Sequence, residues 1–371
     1  MATIILYPTA DVTLNHTCNT GSSGYLLIDD VTADDNSTYI YLRSGGSGSS
    51  SSSANATSTF KVSGTSPYTN KKVHITGVSY LVRGWRDSNT SAGGVSRIGV
   101  SINNGNYSNG SEHSLSNSWT NATGTLSPSG LNTTYNTFAD ANIRMQVYTT
   151  AVGKSDNESR ITQAYLTITY LPYYNVSVGG SQGCSSATVS ASEAREGTNV
   201  TFTATANSGY RFAGWYSNSS YTTLVSTSES YTTSITSDTV LYAKANKIYT
   251  ITVHGDEHMT ASTDLASGID GEVAHLVADY TTGIVTFDGW YSDSAKTQRV
   301  YPYREWEYTI NGSNLEVWVG STLKFGLYHK INGQWVLMNK VYRKENGVWV
   351  IKENPDQIMS TDVKYIDRTQ Q

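Results

Sequence analysis

The chain has 371 residues, a formal net charge of −5 and a pI near 5.8, with 37% hydrophobic and 15% charged residues. That balance excludes the basic footprint of a nucleic-acid binder. So little charge beside 27 Tyr, 8 Trp and 6 Phe also excludes a disordered chain, whose composition runs the other way.

Aromatics with a polar handle suit half-buried sheets and contact surfaces, and the length allows two to four domains. Two cysteines, Cys18 and Cys184, are too few for a disulfide framework or a Cys-based zinc site. No apolar run reaches the eighteen residues that a membrane span needs. The start, Met-Ala-Thr-Ile-Ile-Leu-Tyr-Pro, lacks the basic and apolar regions of a secretory signal. The Asn-x-Ser/Thr triplets at Asn36, Asn55 and Asn132 therefore read as turn composition rather than glycan acceptors. An extracellular look without an export signal is expected of a virion protein, made in the host cytoplasm and displayed on the virion surface.

Residues 1–171 read as one all-β domain. Apolar or alternating segments at 3–7, 24–28, 38–43, 73–85, 96–102, 143–150 and 161–170 are separated by Gly, Asn and Ser clusters, as strands are by turns. The Gly-Ser run over 45–53 is a flexible loop. Many strands with long polar loops predict a jelly-roll sandwich. Leu171-Pro172-Tyr173 marks a boundary, because Pro removes a ladder donor.

Beyond it a phrase occurs twice: Gly209-Tyr-Arg-Phe-Ala-Gly-Trp-Tyr-Ser217, then Gly283-Ile-Val-Thr-Phe-Asp-Gly-Trp-Tyr-Ser292. Trp215 and Trp290 lie 290 − 215 = 75 residues apart, a spacing that suits tandem small domains. Phe212, Trp215, Phe287 and Trp290 are the expected core of the two copies. Copy one runs over 173–247 and copy two, more divergent, over 248–323. The closing strand of copy two, with Val317-Trp-Val319 in place of Leu241-Tyr-Ala243, is its least regular part.

Residues 324–353 carry Asn332-Gly333 and Asn346-Gly347, each followed by x-Trp. Asn-Gly favours two-residue hairpin turns. Tight turns place Lys330 opposite Trp335 and Lys344 opposite Trp349, an assembly module in which Lys lies over an indole. Residues 354–371 form a polar tail.

Three resemblances follow from these residues. Tyr7-Pro8-Thr-Ala-Asp11-Val12, Tyr25-Leu-Leu-Ile-Asp29-Asp30, Asp34-Asp35, Thr38-Tyr39-Ile40 and Ala164-Tyr-Leu-Thr-Ile-Thr-Tyr170 resemble jelly-roll modules of bacteriophage virion proteins and cell-surface carbohydrate-binding regions. The order Asn175-Val-Ser-Val178, Glu196-Gly-Thr-Asn199, Val200-Thr-Phe-Thr-Ala204, the Trp215 phrase and Thr239-Val-Leu-Tyr-Ala243 resembles the Listeria–Bacteroides repeat. That repeat is the B-repeat of internalin-type surface proteins, and the resemblance implies a small β-grasp-like fold. The Asn-Gly-x-Trp pair resembles modules near the ends of phage structural proteins.

Candidate sites are few. His254-Gly-Asp-Glu257-His258 spells a zinc-peptidase pattern, but that chemistry needs both histidines on one helix face. Here a strand precedes it and Gly255 interrupts it, so a polar turn is the better reading and no metal is assigned. Asp29, Asp30, Asp34 and Asp35 are a weak calcium candidate without EF-hand spacing, set against an ordinary Asp-rich turn. Trp85 and Trp119, with Arg83, Arg86 and Tyr107, are a candidate sugar-stacking platform. The alternative puts one indole in the core and the other in an interface.

The expectation is a mainly β, non-enzymatic bacteriophage structural or attachment component, such as a head fibre, capsid decoration or tail accessory protein. It has no cofactor, and its partners are other virion proteins, copies of itself (a trimer) and a host-surface glycan. The alternative is a bacterial surface adhesin or glycan-binding module.

Overall fold

The first strand, β1 (Ala2–Thr13), belongs to two sheets in a computed structural model of the chain. Ala2–Leu6 pairs antiparallel with Tyr170–Leu166, and from Tyr7 onward the strand pairs with Ser63–Thr59. The change of partner falls between Leu6 and Tyr7, next to Pro8, which has no N–H to give to a ladder. The ladder shifts register there. The structure describes residues 2–18, 24, 28–29, 39–43, 52–64, 71–87, 95–127, 134–136, 138, 140–153, 158–281, 285–323, 328–331, 334–337, 341–345 and 348–352. Every regular element among them is a strand. No helix among them is long and apolar enough to cross a membrane.

The other long strands of the N-terminal sandwich are β2 (Ser52–Ser63), β3 (Val73–Arg86), β4 (Val95–Ser101), β5 (Thr120–Leu126), β6 (Arg144–Gly153) and β7 (Glu158–Gln182). One sheet runs β1–β7–β3–β5. The other runs β2–β6–β4 and continues to the short segments Ser108–Asn109 and His113–Ser114. Successive strands alternate between sheets. This order is the double Greek key of a jelly roll, as the sequence predicts.

The core follows from period-two alternation. Ile4, Leu6, Phe60, Tyr80, Val82, Ile98, Met145, Val147, Leu166 and Ile168 are buried in one cluster. One histidine joins this interior. His16 is 5% exposed, with Nδ1 2.8 Å from Ser58 Oγ and Nε2 2.6 Å from Thr149 Oγ1. Both ring nitrogens therefore have partners, as burial of a polar group requires.

The chain divides into two compact units. The first takes in Met1–Ser181, Ser186–Ala204 and Trp215–Ala243, and the second Gln182–Ser185, Thr205–Gly214 and Lys244–Gln371. Residues of the first Trp phrase are thus shared between both.

The two repeats follow one plan. Asn199–Thr203 pairs with Ser234–Ser230, and Val273–Val277 pairs with Thr309–Glu305. Trp215 faces Ser226, and Trp290 faces Tyr301. Gly214 and Gly289 hold φ of 146° and 145°, and Gly197 and Gly271 hold 80° and 85°. The expected Phe-x-Gly-Trp alternation breaks at a bulge, where the ladder shifts between Phe287 and Gly289. A Cβ on Gly289 would lie 2.5 Å from Arg299 Cδ and 3.0 Å from Tyr301 O. Trp215 and Trp290 are fully buried, whereas Phe212 and Phe287 are half-buried. Phe202 takes the deeper place, edge-on to Trp215 at 5.5 Å.

In the second repeat Ile251–His254 runs parallel to Leu315–Trp318, and Val285–Tyr291 runs antiparallel to Leu323–Trp318. The parallel pair agrees with a β-grasp-like plan. In place of the helix of that plan, the described residues show a three-stranded sheet of Met259–Thr263, Val273–Tyr280 and Glu305–Thr309. The divergent closing strand is well integrated, since Val317 and Val319 are fully buried beside Trp290.

At the C-terminal end Lys330 pairs with Trp335 and Tyr328 with Leu337; Lys344 pairs with Trp349 and Tyr342 with Ile351. The predicted hairpin registers are formed. The Asn-Gly turns and the side chains of these strands lie outside the described residues, as does the 354–371 tail.

Candidate functional site

Residues Trp85 and Arg86 end β3, and Trp119 stands one residue before β5. Because β3 and β5 are neighbours in one sheet, with Gly84 opposite Thr120, the two indoles meet at its end. Their ring centroids are 6.4 Å apart and their planes differ by 37°. Both rings are half-buried. Trp85 Nε1 donates to Asn117 O at 3.0 Å, and Arg86 Nε donates to Leu115 O. Arg83 Nη1 donates to Asn121 Oδ1 at 3.0 Å. These bonds tie the 115–121 segment to the end of β3.

A second layer supports the indoles. Arg160, on β7, is the cross-strand partner of Trp85. Its guanidinium carbon lies 4.5 Å from the Trp85 ring centre and 4.5 Å from that of Tyr39. Below it, Glu158 is 5% exposed. It accepts from Arg160 Nε at 2.7 Å and from Arg43 Nε at 2.5 Å. A carboxylate held between two guanidiniums is fixed in position, and it orients Arg160 beneath the indole. Such support makes a flat aromatic surface rigid, which lowers the ordering cost of binding.

Among the five residues predicted for this surface, the structure brings Trp85, Arg86 and Trp119 together, with Arg83 on the same pair of strands. Tyr107 lies apart, beside Gly99 on the other sheet, with its Cδ1 3.5 Å from where a Gly99 Cβ would stand. The supporting residues Arg160, Glu158, Arg43 and Tyr39 are absent from the sequence reading, since only sheet pairing brings them to Trp85.

In the His254–His258 candidate the side chains have other partners. His254 stacks on Trp318 at 4.8 Å and 11°, and its Nε2 lies 3.0 Å from Glu316 Oε1. His258 Nε2 lies 3.1 Å from Glu257 Oε1. Between them Asp256 accepts the backbone N–H groups of His258 and Met259, each at 2.9 Å. It also accepts Lys296 Nζ at 3.1 Å and Ser321 Oγ at 2.7 Å. Burial raises the Asp256 carboxyl, but these donors outweigh it and hold the group below the usual carboxylate range. The motif is thus a capped turn. Among the described residues no group of three or more His, Cys, Asp or Glu could hold a metal. Of the calcium candidates, Asp29 is described, and Asp30, Asp34 and Asp35 lie outside the described residues.

The duplicated registers and paired glycines mark the Trp phrases as two copies of one plan. Residues 174–247 match the family model of the divergent InlB B-repeat domain. The second B-repeat-like copy is carried by the structural correspondence alone. A comparison with curated proteins finds no match. Among solved structures the chain is similar to the carbohydrate-binding module TmCBM61 in complex with β-1,4-galactotriose, at 12% identity. That match covers 36% of this chain and 72% of that one, with a TM-score of 0.22. A likeness so low carries no functional argument.

Proposed function

We propose that the chain is a non-enzymatic attachment protein. Its jelly roll offers the Trp85–Trp119 surface to a glycan, and its B-repeats act as spacers. The observation that carries this reading is the braced pair of indoles: two aromatic faces 6.4 Å apart at a sheet end, with Arg160 clamped beneath Trp85. A flat aromatic face beside fixed polar groups is what a pyranose ring stacks on. The test is binding of the full chain to a glycan array, with release of reducing sugar assayed in parallel. Binding without turnover is the expected result, and turnover would replace the attachment reading with a hydrolase.

The carrier we assign is a bacteriophage particle, with the chain as a head fibre, decoration or tail accessory component, present as a homo-oligomer. Support comes from the two C-terminal hairpins, whose Asn-Gly-x-Trp phrases resemble modules near the ends of phage structural proteins. A bacterial surface adhesin is the second reading, favoured by the B-repeat match over 174–247. Gold-labelled antibody against the chain separates them. Label on particles released by lysis fits the virion, and label confined to cell walls fits the adhesin.

A further inference from the structure

The two repeats differ most where their sheets end. In the second, the edge strands Arg299–Tyr301 and Glu305–Thr309 bring Tyr301, Tyr303, Trp306 and Tyr308 into one continuous group. Tyr301 stacks on Trp306 at 4.8 Å and 9°. Tyr303 stands edge-on to Tyr301 at 5.7 Å, and Tyr308 edge-on to Trp306 at 5.4 Å. Tyr303 is 68% exposed, the most exposed large hydrophobic side chain described.

The first repeat serves as an internal control. The registers Trp215↔Ser226 and Trp290↔Tyr301, with Phe202↔Tyr231 and Leu276↔Trp306, fix the correspondence. At the places of Tyr301, Tyr303, Trp306 and Tyr308 it carries Ser226, Ser228, Tyr231 and Thr233. The same backbone plan therefore forms with one aromatic where the second repeat has four. Packing against the core accounts for part of Tyr301, Trp306 and Tyr308, which border the Trp290 cluster. It does not account for Tyr303, whose ring is mostly in water.

From this difference we infer that the aromatic edge of the second repeat, centred on Tyr303, is a second binding platform, for a neutral oligosaccharide. Cations at the ring group are few, which decides against an anionic ligand: Arg299 and Arg304 stand beside it, while Asp279, Glu305 and Glu307 alternate onto the sheet face opposite Trp306 and Tyr308. Two of those carboxylates, Asp279 and Glu305, each lie 3.8 Å from Arg304. Arg304 is thus engaged by carboxylates that a phosphate or sulfate would have to displace, whereas a neutral sugar would not. Size decides against a protein partner. Four aromatic side chains of about 150–250 Å² each, most of them half-buried, leave on the order of 300 Å² outside. A stable protein interface takes about 800 Å² from each partner. Stacked and edge-on rings are instead the size of one or two pyranose faces.

This inference is independent of the Trp85–Trp119 surface, and its test keeps the two apart. Full-length Trp119→Ala is run by affinity electrophoresis through gels that each contain one neutral polysaccharide: hydroxyethylcellulose, xyloglucan, galactan or glucomannan. Retardation by at least one gel is expected, and Tyr303→Ser in the same background should weaken it about tenfold. Serine already occupies the matching place, Ser228, so this exchange leaves the fold intact. No retardation of Trp119→Ala in any gel would overturn the inference, as would equal retardation with and without Tyr303→Ser. Retention by an immobilised basic protein alone, lost with Tyr303→Ser, would overturn it in favour of a protein partner.

Discussion

Arg160 lies across the sheet from Trp85, with its guanidinium carbon 4.5 Å from the indole centre and its Nε on the buried Glu158. The pair joins a packing fact to a functional one, because the same arginine that neutralises Glu158 holds the indole flat. Replacing Glu158 by Gln leaves two guanidiniums without their shared carboxylate. Both guanidiniums reach solvent, Arg43 with 54% of its side chain exposed, so the loss costs about 1–2 kcal/mol. Chemical denaturation should show that loss, and the near-UV circular dichroism of Trp85 and Trp119 should weaken. Unchanged stability would mean that the cluster is ornament rather than support.

His16 gives the sandwich a pH dependence of predictable sign. Burial lowers its pKa from 6.5 to about 4. The unfolded chain takes up this proton near pH 6.5, and the folded chain only near 4. The stability from the neutral ring is therefore complete above pH 6.5 and is lost as the pH falls from there towards 4. A separation of that size is worth on the order of 3 kcal/mol. Denaturation midpoints at pH 7.5 and 4.5 measure it. His16→Gln should lower stability at pH 7.5 and flatten the slope between the two; an unaltered slope would assign the dependence to other groups.

Gly289 tests the repeat plan. Its φ of 145° and the 3.0 Å from a built Cβ to Tyr301 O leave no room for a side chain against backbone. Gly289→Ala should cost about 2–3 kcal/mol, read as a lower melting temperature. Gly312, with φ of 80° and nothing closer than 3.9 Å, should cost about 1 kcal/mol. Equal effects would contradict the bulge as the constrained element.

The His254–His258 turn should be indifferent to zinc. Its Asp256 is already committed to four donors, so added zinc or a chelator should leave the melting temperature unchanged. Asp256→Asn should lower stability by about 1–2 kcal/mol through the lost charge-assisted bonds. Stoichiometric zinc binding with a raised melting temperature would overturn the turn reading.

The strand alternation and the repeated Trp phrase made much of this architecture legible in the sequence. The mainly β class, the buried Trp215 and Trp290, and the Lys–Trp hairpin registers all follow from local patterns of two to ten residues. What stayed hidden depends on pairing over long distances. Arg160 reaches Trp85 only because β7 lies beside β3, and Tyr107 is separated from it by belonging to the other sheet. Phe202 outranks Phe212 in the core because the Gly bulge turns the phrase, which alternation alone does not reveal. The Tyr301–Tyr308 group was readable by aligning the two copies beyond their shared phrase, where Ser226 and Ser228 stand opposite Tyr301 and Tyr303.

The central claim is attachment through the braced indoles of the jelly roll. The most direct measurement is glycan-array binding of the full chain beside Trp119→Ala and Arg160→Gln, with reducing-sugar release followed in the same samples. Wild type should bind, Trp119→Ala should lose about tenfold or more, Arg160→Gln should lose less, and no sugar should be released. Equal binding by wild type and Trp119→Ala, or sugar released by the wild-type chain, would contradict it.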